Sequence, residues 1–332
     1  MPEFPGHDWE VDSSLVDPEG LIARVTGANG KERTAGPGIA SVAAELPGEI
    51  VENDELAGPL GIDSDWISSR TGVRRRRRAT SESLVDLSSM AAARALALAG
   101  VEPGEIDLVL VATFTQDQLL PNAAPQVARR IGAEAAGAID VGAACTGFLS
   151  ALSLAAAQIE SGRAKAALVI GADLLSRVTD YGDRRTAGLF GDGAGAAVLA
   201  GGGPGQIGRI ALHSDGAGGD LIHASQTERL VRMDGRATFR AAVAAMSDVT
   251  REVVSDAGLA LDEVDLFVYH QANSRIISAV GERLALPADR VVDCIAEYGN
   301  TSAASIPIAA HCSVDSNRYR HSTPTTGSAQ SP

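Results

Sequence analysis

Residues 140–148 read DVGAACTGF and place one cysteine where a short apolar run gives way to a helix-like pattern. Two polar motifs follow far downstream, at residues 269–273 (YHQAN) and residues 298–305 (YGNTSAAS). They supply an imidazole, His270, and a carboxamide, Asn300, and both motifs follow apolar runs. A thiol, an imidazole and a carboxamide in such positions suit acyl transfer through a thioester.

Length and composition limit the classes of protein to which the chain can belong. Its 332 residues are enough for one large α/β domain or two fused smaller ones, and 45% hydrophobic and 21% charged residues are typical of a globular protein. A formal net charge of −14 argues against nucleic-acid binding. The sequence shows neither a membrane-spanning apolar run nor a secretory signal, so we predict a cytoplasmic protein that has no membrane partner.

Five consecutive arginines at residues 74–78 are the exception to this acidic composition. Three interpretations are open. The run is either a solvated loop or helix start, or a docking patch for phosphates or an acidic carrier protein. A nuclear or nucleic-acid signal is the weakest interpretation, because the rest of the chain is acidic.

The element pattern predicts an α/β fold. Residues 1–37 are polar and without periodicity, and we predict a disordered extension there. Beyond it, short apolar segments alternate with amphipathic ones, which favours parallel strands covered by helices. In the first half we predict strands at 39–44, 108–113, 138–142, 167–171 and 195–199, and helices at 84–99, 122–131, 146–162 and 186–189.

The second half, residues 204–310, restarts the same order of elements. Residues 311–332 are polar and rich in Ser, Thr and Pro, and we predict a disordered tail. By analogy with the first half, the last two strands of the second half would then be missing. The predicted strands here are 207–213, 266–269 and 291–295, and the predicted helices are 237–257, 274–284 and one that begins at Ala303.

The three cysteines differ in their surroundings. Cys145 stands at a predicted helix N-terminus, where the helix dipole should lower the thiol pKa and favour the nucleophilic thiolate. Cys294 and Cys312 have no such neighbours, and we predict that both are inert. Three cysteines cannot form an even disulfide framework, and their spacings match no zinc motif, so we predict no metal site.

His270 and Asn300 could donate hydrogen bonds to a developing oxyanion without adding a charge, and Gly142 and Gly147 would let backbone amides approach a bound acyl group. Each residue also has a plainer interpretation, as core filler, a structural histidine or a turn asparagine. Catalysis is favoured because the thiol, the imidazole and the carboxamide all lie at analogous strand ends of a repeated pattern, where open α/β folds bind ligands.

With these motifs in place, the chain resembles the β-ketoacyl-acyl-carrier-protein synthase III family, decarboxylating condensing enzymes of the thiolase superfamily. The resemblance covers about residues 38–310. It implies a thiolase-like layered α/β/α/β/α fold with two pseudo-repeated halves, residues 38–203 and 204–310, and a homodimer. The motifs that carry it are residues 66–73 (WISSRTGV), 140–148, 190–196 (FGDGAGA), 270–273 (HQAN) and 299–305 (GNTSAAS).

The reaction implied by the resemblance has two steps. Cys145 would take an acyl group from an acyl-CoA, and malonyl-acyl carrier protein would then bind, lose CO2 and attack the acyl-enzyme. His270 and Asn300 would stabilise the enolate oxygen. Backbone amides near Cys145 and Ser305 would hold the thioester oxygen, and Asn273 would orient His270 or a water. No metal or redox cofactor is implied.

The resemblance also implies how the substrates bind. Trp66 and Arg184 match a pair that sandwiches the CoA adenine, and Arg70 matches a residue that contacts the CoA phosphate region. Arg275 matches a cation that helps to dock the carrier protein.

The chain departs from the family at its end. Members of the family finish with a strand, a glycine-rich loop and a final strand, and these are not recognisable after Ser305. We therefore expect a truncated or altered C-terminus and poor folding without a partner chain.

Two alternative functions stay open: acyl transfer to an oxygen or nitrogen nucleophile, and a non-catalytic, degenerate or partner subunit. The sequence does not indicate which starter acyl group is used, or whether the chain initiates fatty-acid or polyketide synthesis.

Overall fold

The computed structural model describes residues 25–26, 32–33 and 36–315, with side chains from residue 36 to residue 313. Most of the predicted N-terminal extension therefore lies outside the described residues, as does the predicted tail from residue 316 onward. The strands are β1 (Val25–Thr26), β2 (Glu32–Arg33), β3 (Pro37–Glu45), β4 (Glu49–Glu52), β5 (Arg75–Arg78), β6 (Leu108–Ala112), β7 (Gly137–Val141), β8 (Ala166–Leu174), β9 (Asp192–Gly201), β10 (Gly205–Gln206), β11 (Ile222–Ala224) and β12 (Val231–Met233). The α-helices are α1 (Asn53–Ala57), α2 (Ser64–Thr71), α3 (Leu84–Ala99), α4 (Ala123–Ile131), α5 (Gly147–Glu160), α6 (Gly235–Asp256), α7 (Ser274–Leu284), α8 (Ile295–Tyr298) and α9 (Ser305–Asp315).

A six-stranded sheet in the order β10-β3-β9-β8-β6-β7 forms the centre of the molecule. Its middle strands are apolar on both faces, and every residue of β8 is buried. Helices α3 and α4 cover one face, where they pack with Leu168 and Ile170 of β8. Helix α5 covers the other face with Phe148 and Leu152, against Val169. The layered α/β prediction is confirmed for this half.

The sheet is mixed, whereas the sequence predicted parallel strands. Strand β6 pairs in parallel with β7 and β8, but β9 pairs antiparallel with both β8 and β3. The reason lies in the connection between β8 and β9. The predicted helix at residues 186–189 is a series of turns. Without a crossover helix the chain folds back and returns antiparallel to β8.

Helix α3 matches its predicted bounds because its end signals are local. The Ser83 hydroxyl accepts from Asp86 N–H, and the Asp86 carboxylate accepts from Ser83 N–H, which together form a capping box. The helix ends at Gly100, whose φ of 64° is left-handed and suits glycine. Both ends are therefore determined by a few adjacent residues.

The second half has helices but no large sheet among the described residues. Helices α6 and α7 lie close to their predicted bounds. The predicted strand at 207–213 is irregular, and the predicted strands at 266–269 and 291–295 meet only in one parallel bridge between Phe267 and Val291. This prediction was wrong because an apolar segment becomes a strand only when neighbours pair with it along its length.

The chain beyond residue 310 begins in a helix. Helix α9 continues to Asp315, so the first five residues of the predicted disordered tail are helical. The apolar side of this helix faces the core, since Ile308 and Ala309 are both buried. The expected absence of two final strands concerns residues beyond Asp315, outside the described part of the chain.

The arginine run forms strand β5, which pairs antiparallel with β4 so that Glu49 lies opposite Arg78 and Glu52 lies opposite Arg75. Arg78 forms an ion pair with Glu49 at 2.6 Å, and Arg75 forms one with Glu297 at the same distance. The prediction of a solvated loop or helix start is therefore wrong. The docking interpretation stays a prediction, because the Arg74 side chain remains 70% exposed.

Arg76 is the buried member of the run, with 3% of its surface exposed. Its guanidinium donates to the carbonyl oxygens of Val51 at 3.0 Å and Gly188 at 2.7 Å, and to Asn53 Oδ1 at 2.7 Å. Burial lowers its pKa to about 10, so it remains charged at neutral pH. The side chain ties β4 and β5 to the loop that precedes β9.

We expect Arg76→Ala to lower the free energy of unfolding by about 3 kcal/mol, because three buried acceptors lose their donor. Equilibrium urea unfolding measures this change. Arg74→Ala is the matched control: the Arg74 side chain is 70% exposed, and its loss should change the free energy by less than about 0.5 kcal/mol. Equal losses in the two variants would contradict a structural role for Arg76.

Candidate active site

Cys145 lies between the end of β7 and the start of α5. A 3-10 turn, Ala144–Thr146, joins the two, and Ala144 has a left-handed φ of 43°. The first residue of α5 is Gly147, where an added Cβ would lie only 2.9 Å from Ala112 Cβ. Close packing against β6 thus explains the glycine. The predicted strand-to-helix junction is confirmed.

Ser302 is the side chain that meets the thiol, since its Oγ lies 3.5 Å from Cys145 Sγ. Its φ of 52° is again left-handed, which is uncommon for residues other than glycine. Ser302 N–H donates to Asn300 Oδ1 at 2.9 Å, so one tight turn connects the thiol to the carboxamide. Two non-glycine residues in this conformation, Ala144 and Ser302, therefore flank the thiol, as is common at functional sites.

Asn300 is nearly buried, and its backbone is fixed from both sides. Its N–H donates to Leu189 O at 2.9 Å, and its carbonyl oxygen accepts from Gly191 N–H at 3.0 Å. Because Oδ1 already accepts from Ser302, the Nδ2 group is the part of the carboxamide that can donate to a substrate.

His270 is held by Ser305, the first residue of α9, through a 2.5 Å contact between Nδ1 and Oγ. Ser305 Oγ also accepts from Gln271 N–H at 3.2 Å, which leaves its own proton for Nδ1. Nε2 then carries the imidazole proton. Burial lowers the pKa of His270 to about 4, so the ring is a neutral donor at neutral pH.

Asn273 does not take the role predicted for it. Its Oδ1 caps α7 by accepting from Arg275 N–H at 2.9 Å, and its Nδ2 donates to Arg70 O at 3.1 Å. Both ends of the carboxamide are therefore used to join α7 to α2. Ser305 is the residue whose side chain orients His270. The resemblance had implied only a backbone role near Ser305, at the thioester oxygen.

The thiol itself differs from the expectation. Burial raises the pKa of Cys145, and the carboxylate of Asp173 raises it further, whereas the Ser302 hydroxyl lowers it. The net direction is opposite to the lowering predicted from the helix N-terminus. Cys145 therefore rests as a thiol at neutral pH, and a base is needed to make it a nucleophile.

The predicted CoA-binding residues come together at the surface. Arg70 Cζ lies 4.6 Å from the centre of the Trp66 ring, and Arg184 Cζ lies 5.6 Å from it. Two cations thus flank one aromatic ring, although the arginines are 114 positions apart in the chain. The predicted docking residue Arg275 is exposed and lies 5.8 Å from the centre of the Phe239 ring on α6.

We expect Gly171→Ala to slow acylation of Cys145 about 10²-fold by displacing the turn that holds Ser302. Gly171 lies in β8, where an added Cβ would overlap the carbonyl oxygen of Ala303. Gly137→Ala in β7 is the control, because its Cβ would meet Leu108 Cδ1 at an ordinary 3.6 Å. The acylation rate is measured by intact-protein mass. Equal rates in both variants would show that the turn tolerates displacement.

Comparison with known proteins gives the same result in both halves. The family model described as 3-oxoacyl-[acyl-carrier-protein (ACP)] synthase III matches residues 139–227, and the model of its C-terminal part matches residues 254–326.

Within the part of the chain that the structure describes, no helix is long and apolar enough to cross a membrane.

Relatives and solved structures agree over most of the chain. A β-ketoacyl-[acyl-carrier-protein] synthase III of Streptomyces coelicolor is 45% identical over 279 residues, which are 83% of this chain and 84% of that protein. The crystal structure of the synthase III from Aquifex aeolicus is 39% identical, with a TM-score of 0.80 over 86% of this chain and 92% of that one. The priming β-ketosynthase of the R1128 polyketide pathway is 36% identical, with a TM-score of 0.83 over 88% and 91%. The chain belongs to the 3-oxoacyl-[acyl-carrier-protein] synthase III family of condensing enzymes and has its thiolase-like fold.

Proposed function

We propose that this protein starts acyl-chain synthesis by decarboxylative condensation, in fatty-acid or polyketide formation. Cys145 takes an acyl group from an acyl-CoA, and malonyl-acyl carrier protein then extends it. The observation that carries the proposal is the single turn at residues 300–305. It supplies the carboxamide of Asn300, places Ser302 against the Cys145 thiol and holds the His270 imidazole through Ser305.

The neutral state of the two donors suits the second step. Loss of CO2 from the malonyl group leaves an enolate, whose oxygen carries the developing negative charge. The Nδ2 group of Asn300 and the Nε2 group of His270 can both donate to that oxygen. Hydrogen-bond donors that are already held in place, in a site from which water is partly excluded, stabilise this negative charge more than water does. A protonated imidazole is excluded at neutral pH by the low pKa of His270.

The cluster of Trp66, Arg70 and Arg184 suits the nucleotide end of acyl-CoA. A flat aromatic ring can stack on adenine, and guanidinium groups pair with phosphates and stack on rings. The guanidinium groups of Arg70 and Arg184 both lie at the Trp66 ring, where their charges can meet the phosphates of a ligand. We assign Arg275, exposed at the start of α7, to the acidic carrier protein.

We assign the edge of strand β7 to a second copy of the chain. Strand β7 is the last strand of the sheet, and its outward residue Ile139 is 55% exposed. Leu119 and Leu120, in the loop before α4, are also exposed. An open apolar edge is a liability for a free protein, and pairing with a second β7 would cover it.

The test is a condensation assay with malonyl-acyl carrier protein and a series of acyl-CoAs. We expect CO2 and a β-ketoacyl-carrier product in equal amounts, and formation of both should depend on the acyl-CoA. Acyl transfer to an alcohol or amine without CO2 would support the alternative transferase. A folded protein that is inactive with every donor would indicate a non-catalytic partner subunit.

A further inference from the structure

Ser302 has a buried hydroxyl, and the hydrogen-bond partner of that hydroxyl is the sulfur of the nucleophile. The residue is 1% exposed, and its Oγ donates to Cys145 Sγ over 3.5 Å. A neutral thiol sulfur is a weak acceptor, whereas a hydrogen bond to an ionised acceptor is much stronger. The bond from Ser302 therefore gains strength whenever negative charge collects on the sulfur.

The turn that carries Ser302 is held in place by its neighbours. Ser302 N–H donates to Asn300 Oδ1 at 2.9 Å. The next residue, Ala303, packs directly on the backbone of β8, where a Cβ added to Gly171 would lie 2.2 Å from Ala303 O. The hydroxyl is thus fixed at the sulfur before a substrate binds, which is the condition under which a donor stabilises developing charge best.

The backbone of Ser302 indicates that its side chain is needed at this position. Its φ of 52° lies in the left-handed region, which glycine adopts readily and serine seldom does. A glycine would relieve the strain but would bring no hydroxyl. Strained residues that a structure retains cluster at functional sites. The conformation therefore points to a task for the hydroxyl.

Two other ionisable side chains belong to this site, and neither supplies a positive charge to the sulfur. The carboxylate of Asp173 on β8 raises the pKa of the Cys145 thiol. That carboxylate already accepts hydrogen bonds from four neutral donors, namely Thr113 Oγ1, Phe114 N–H, Thr115 Oγ1 and Ala303 N–H. The ring of His270 is neutral at neutral pH. Of the described side chains, Ser302 is the one that donates to Sγ.

We propose that Ser302 is a catalytic residue in both steps, whose hydroxyl stabilises negative charge on Cys145 Sγ as the sulfur attacks and again as it leaves; this inference rests on the proposed function. In acylation the charge is that of the attacking thiolate. In condensation the charge is that of the sulfur released when the enolate takes over the acyl group. One donor at one sulfur therefore serves both steps.

Bonds and protons balance in each step. In acylation the Cys145 proton passes to water, since the residue is partly exposed, and Sγ bonds to the thioester carbon. The carbon–sulfur bond to CoA breaks, its electron pair stays on the CoA sulfur, and that sulfur takes a proton from water. In condensation the enolate carbon bonds to the acyl carbon, the electron pair of the broken bond stays on Sγ, and Sγ regains a proton from water. Ser302 keeps its own proton throughout.

Ser302 also has a structural interpretation, as a residue that only shapes the turn, and two substitutions separate the roles. Ser302→Ala and Ser302→Gly both remove the hydroxyl, but only glycine suits a φ of 52° better than serine. Loss of a catalytic hydroxyl should slow the two variants equally. If only the shape of the turn mattered, Ser302→Gly would react as fast as wild type.

The experiment uses the full-length chain as wild type, Ser302→Ala, Ser302→Gly and Ser247→Ala. Ser247 is the matched control, a fully buried serine of α6 whose hydroxyl donates to Val243 O at 2.7 Å. Acylation is followed by intact mass with a panel from acetyl-CoA to octanoyl-CoA, and condensation is followed from acyl-enzyme formed beforehand. Alkylation of Cys145 by iodoacetamide, located by peptide mass, is followed from about pH 6 to about pH 10.5 and needs only a thiolate. Fluorescence-monitored urea unfolding reports how much of each variant is folded.

We expect Ser302→Ala and Ser302→Gly to be slower than wild type by about tenfold in acylation and by about tenfold in condensation, per folded molecule. A hydrogen bond to the charged form of a group lowers its pKa, so removal of the hydroxyl should raise the pKa of Cys145. The alkylation profile should therefore move to higher pH by about one unit. Ser247→Ala should match wild type within about twofold in all three measurements.

The proposal is overturned if Ser302→Gly acylates and condenses as fast as wild type, or if the alkylation profile does not move. Should Ser302→Ala not fold, Ser302→Gly carries the test, because glycine suits the backbone of that turn. A wild-type protein that is alkylated but takes no acyl group from any acyl-CoA would overturn the proposed function, and the inference with it. An active wild type beside equally active variants would overturn the inference alone.

Discussion

Cys145→Ala is expected to lower condensation on the order of 10⁴-fold or more, because it removes the atom that carries the acyl group. The Cys145 thiol lies at the N-terminus of α5 and against the turn that holds Asn300 and Ser302. No other described thiol has such neighbours. The measurement is the rate of β-ketoacyl-carrier formation from acyl-CoA and malonyl-acyl carrier protein.

Cys294→Ala is the control for that variant. Cys294 lies at the start of α8, and a hydrogen bond with its neighbour Cys312, together with burial, raises the pKa of its thiol. We expect this variant to condense at the wild-type rate. If Cys145→Ala kept a substantial rate, or Cys294→Ala lost as much, the nucleophile would be assigned wrongly.

His270→Ala and Asn300→Ala are each expected to lower condensation about 10²–10³-fold while leaving the first acyl transfer largely intact. In the proposed mechanism the two side chains donate to the enolate, which forms only after Cys145 has been acylated. The variants should therefore accumulate acyl-enzyme. Single-turnover acylation by intact mass, measured beside steady-state CO2 release, separates the two steps.

His213→Ala is the matched control for the histidine. Its ring is exposed and bonds Glu252 Oε2 at 2.7 Å on α6, away from the thiol turn. Its loss should leave both steps unchanged. If His270→Ala instead abolished acylation and spared CO2 release, the imidazole would be acting as the base for Cys145 and not as a donor to the enolate.

The parts of the fold that were predictable from sequence are those with strong local signals. Strands β3, β6 and β8 lie in short apolar runs bounded by turns, and α3 carries its own cap and stop. Strand direction was not predictable, because it depends on whether the connection from β8 to β9 contains a crossover helix. The strand at Arg75–Arg78 was not predicted, because charged residues are poor strand formers unless residues of opposite charge lie opposite them on the neighbouring strand.

The candidate site shows the same division. Cys145, His270 and Asn300 were predicted because each stands at the end of an apolar run. Ser302 and Asp173 were missed, because what defines them is a left-handed turn and a buried contact. One signal was present for Asp173. An acidic residue inside an apolar run, here AALVIGADL at residues 166–174, is seldom buried unless it is hydrogen-bonded or paired.

The most direct test of the account is intact-protein mass spectrometry of wild type and Cys145→Ala after incubation with a panel of acyl-CoAs. We expect one adduct on wild type, equal in mass to the acyl group of the preferred donor, and none on Cys145→Ala. That mass would also identify the starter. An adduct on both proteins, or no adduct on a wild type shown to be folded, would contradict acylation at Cys145.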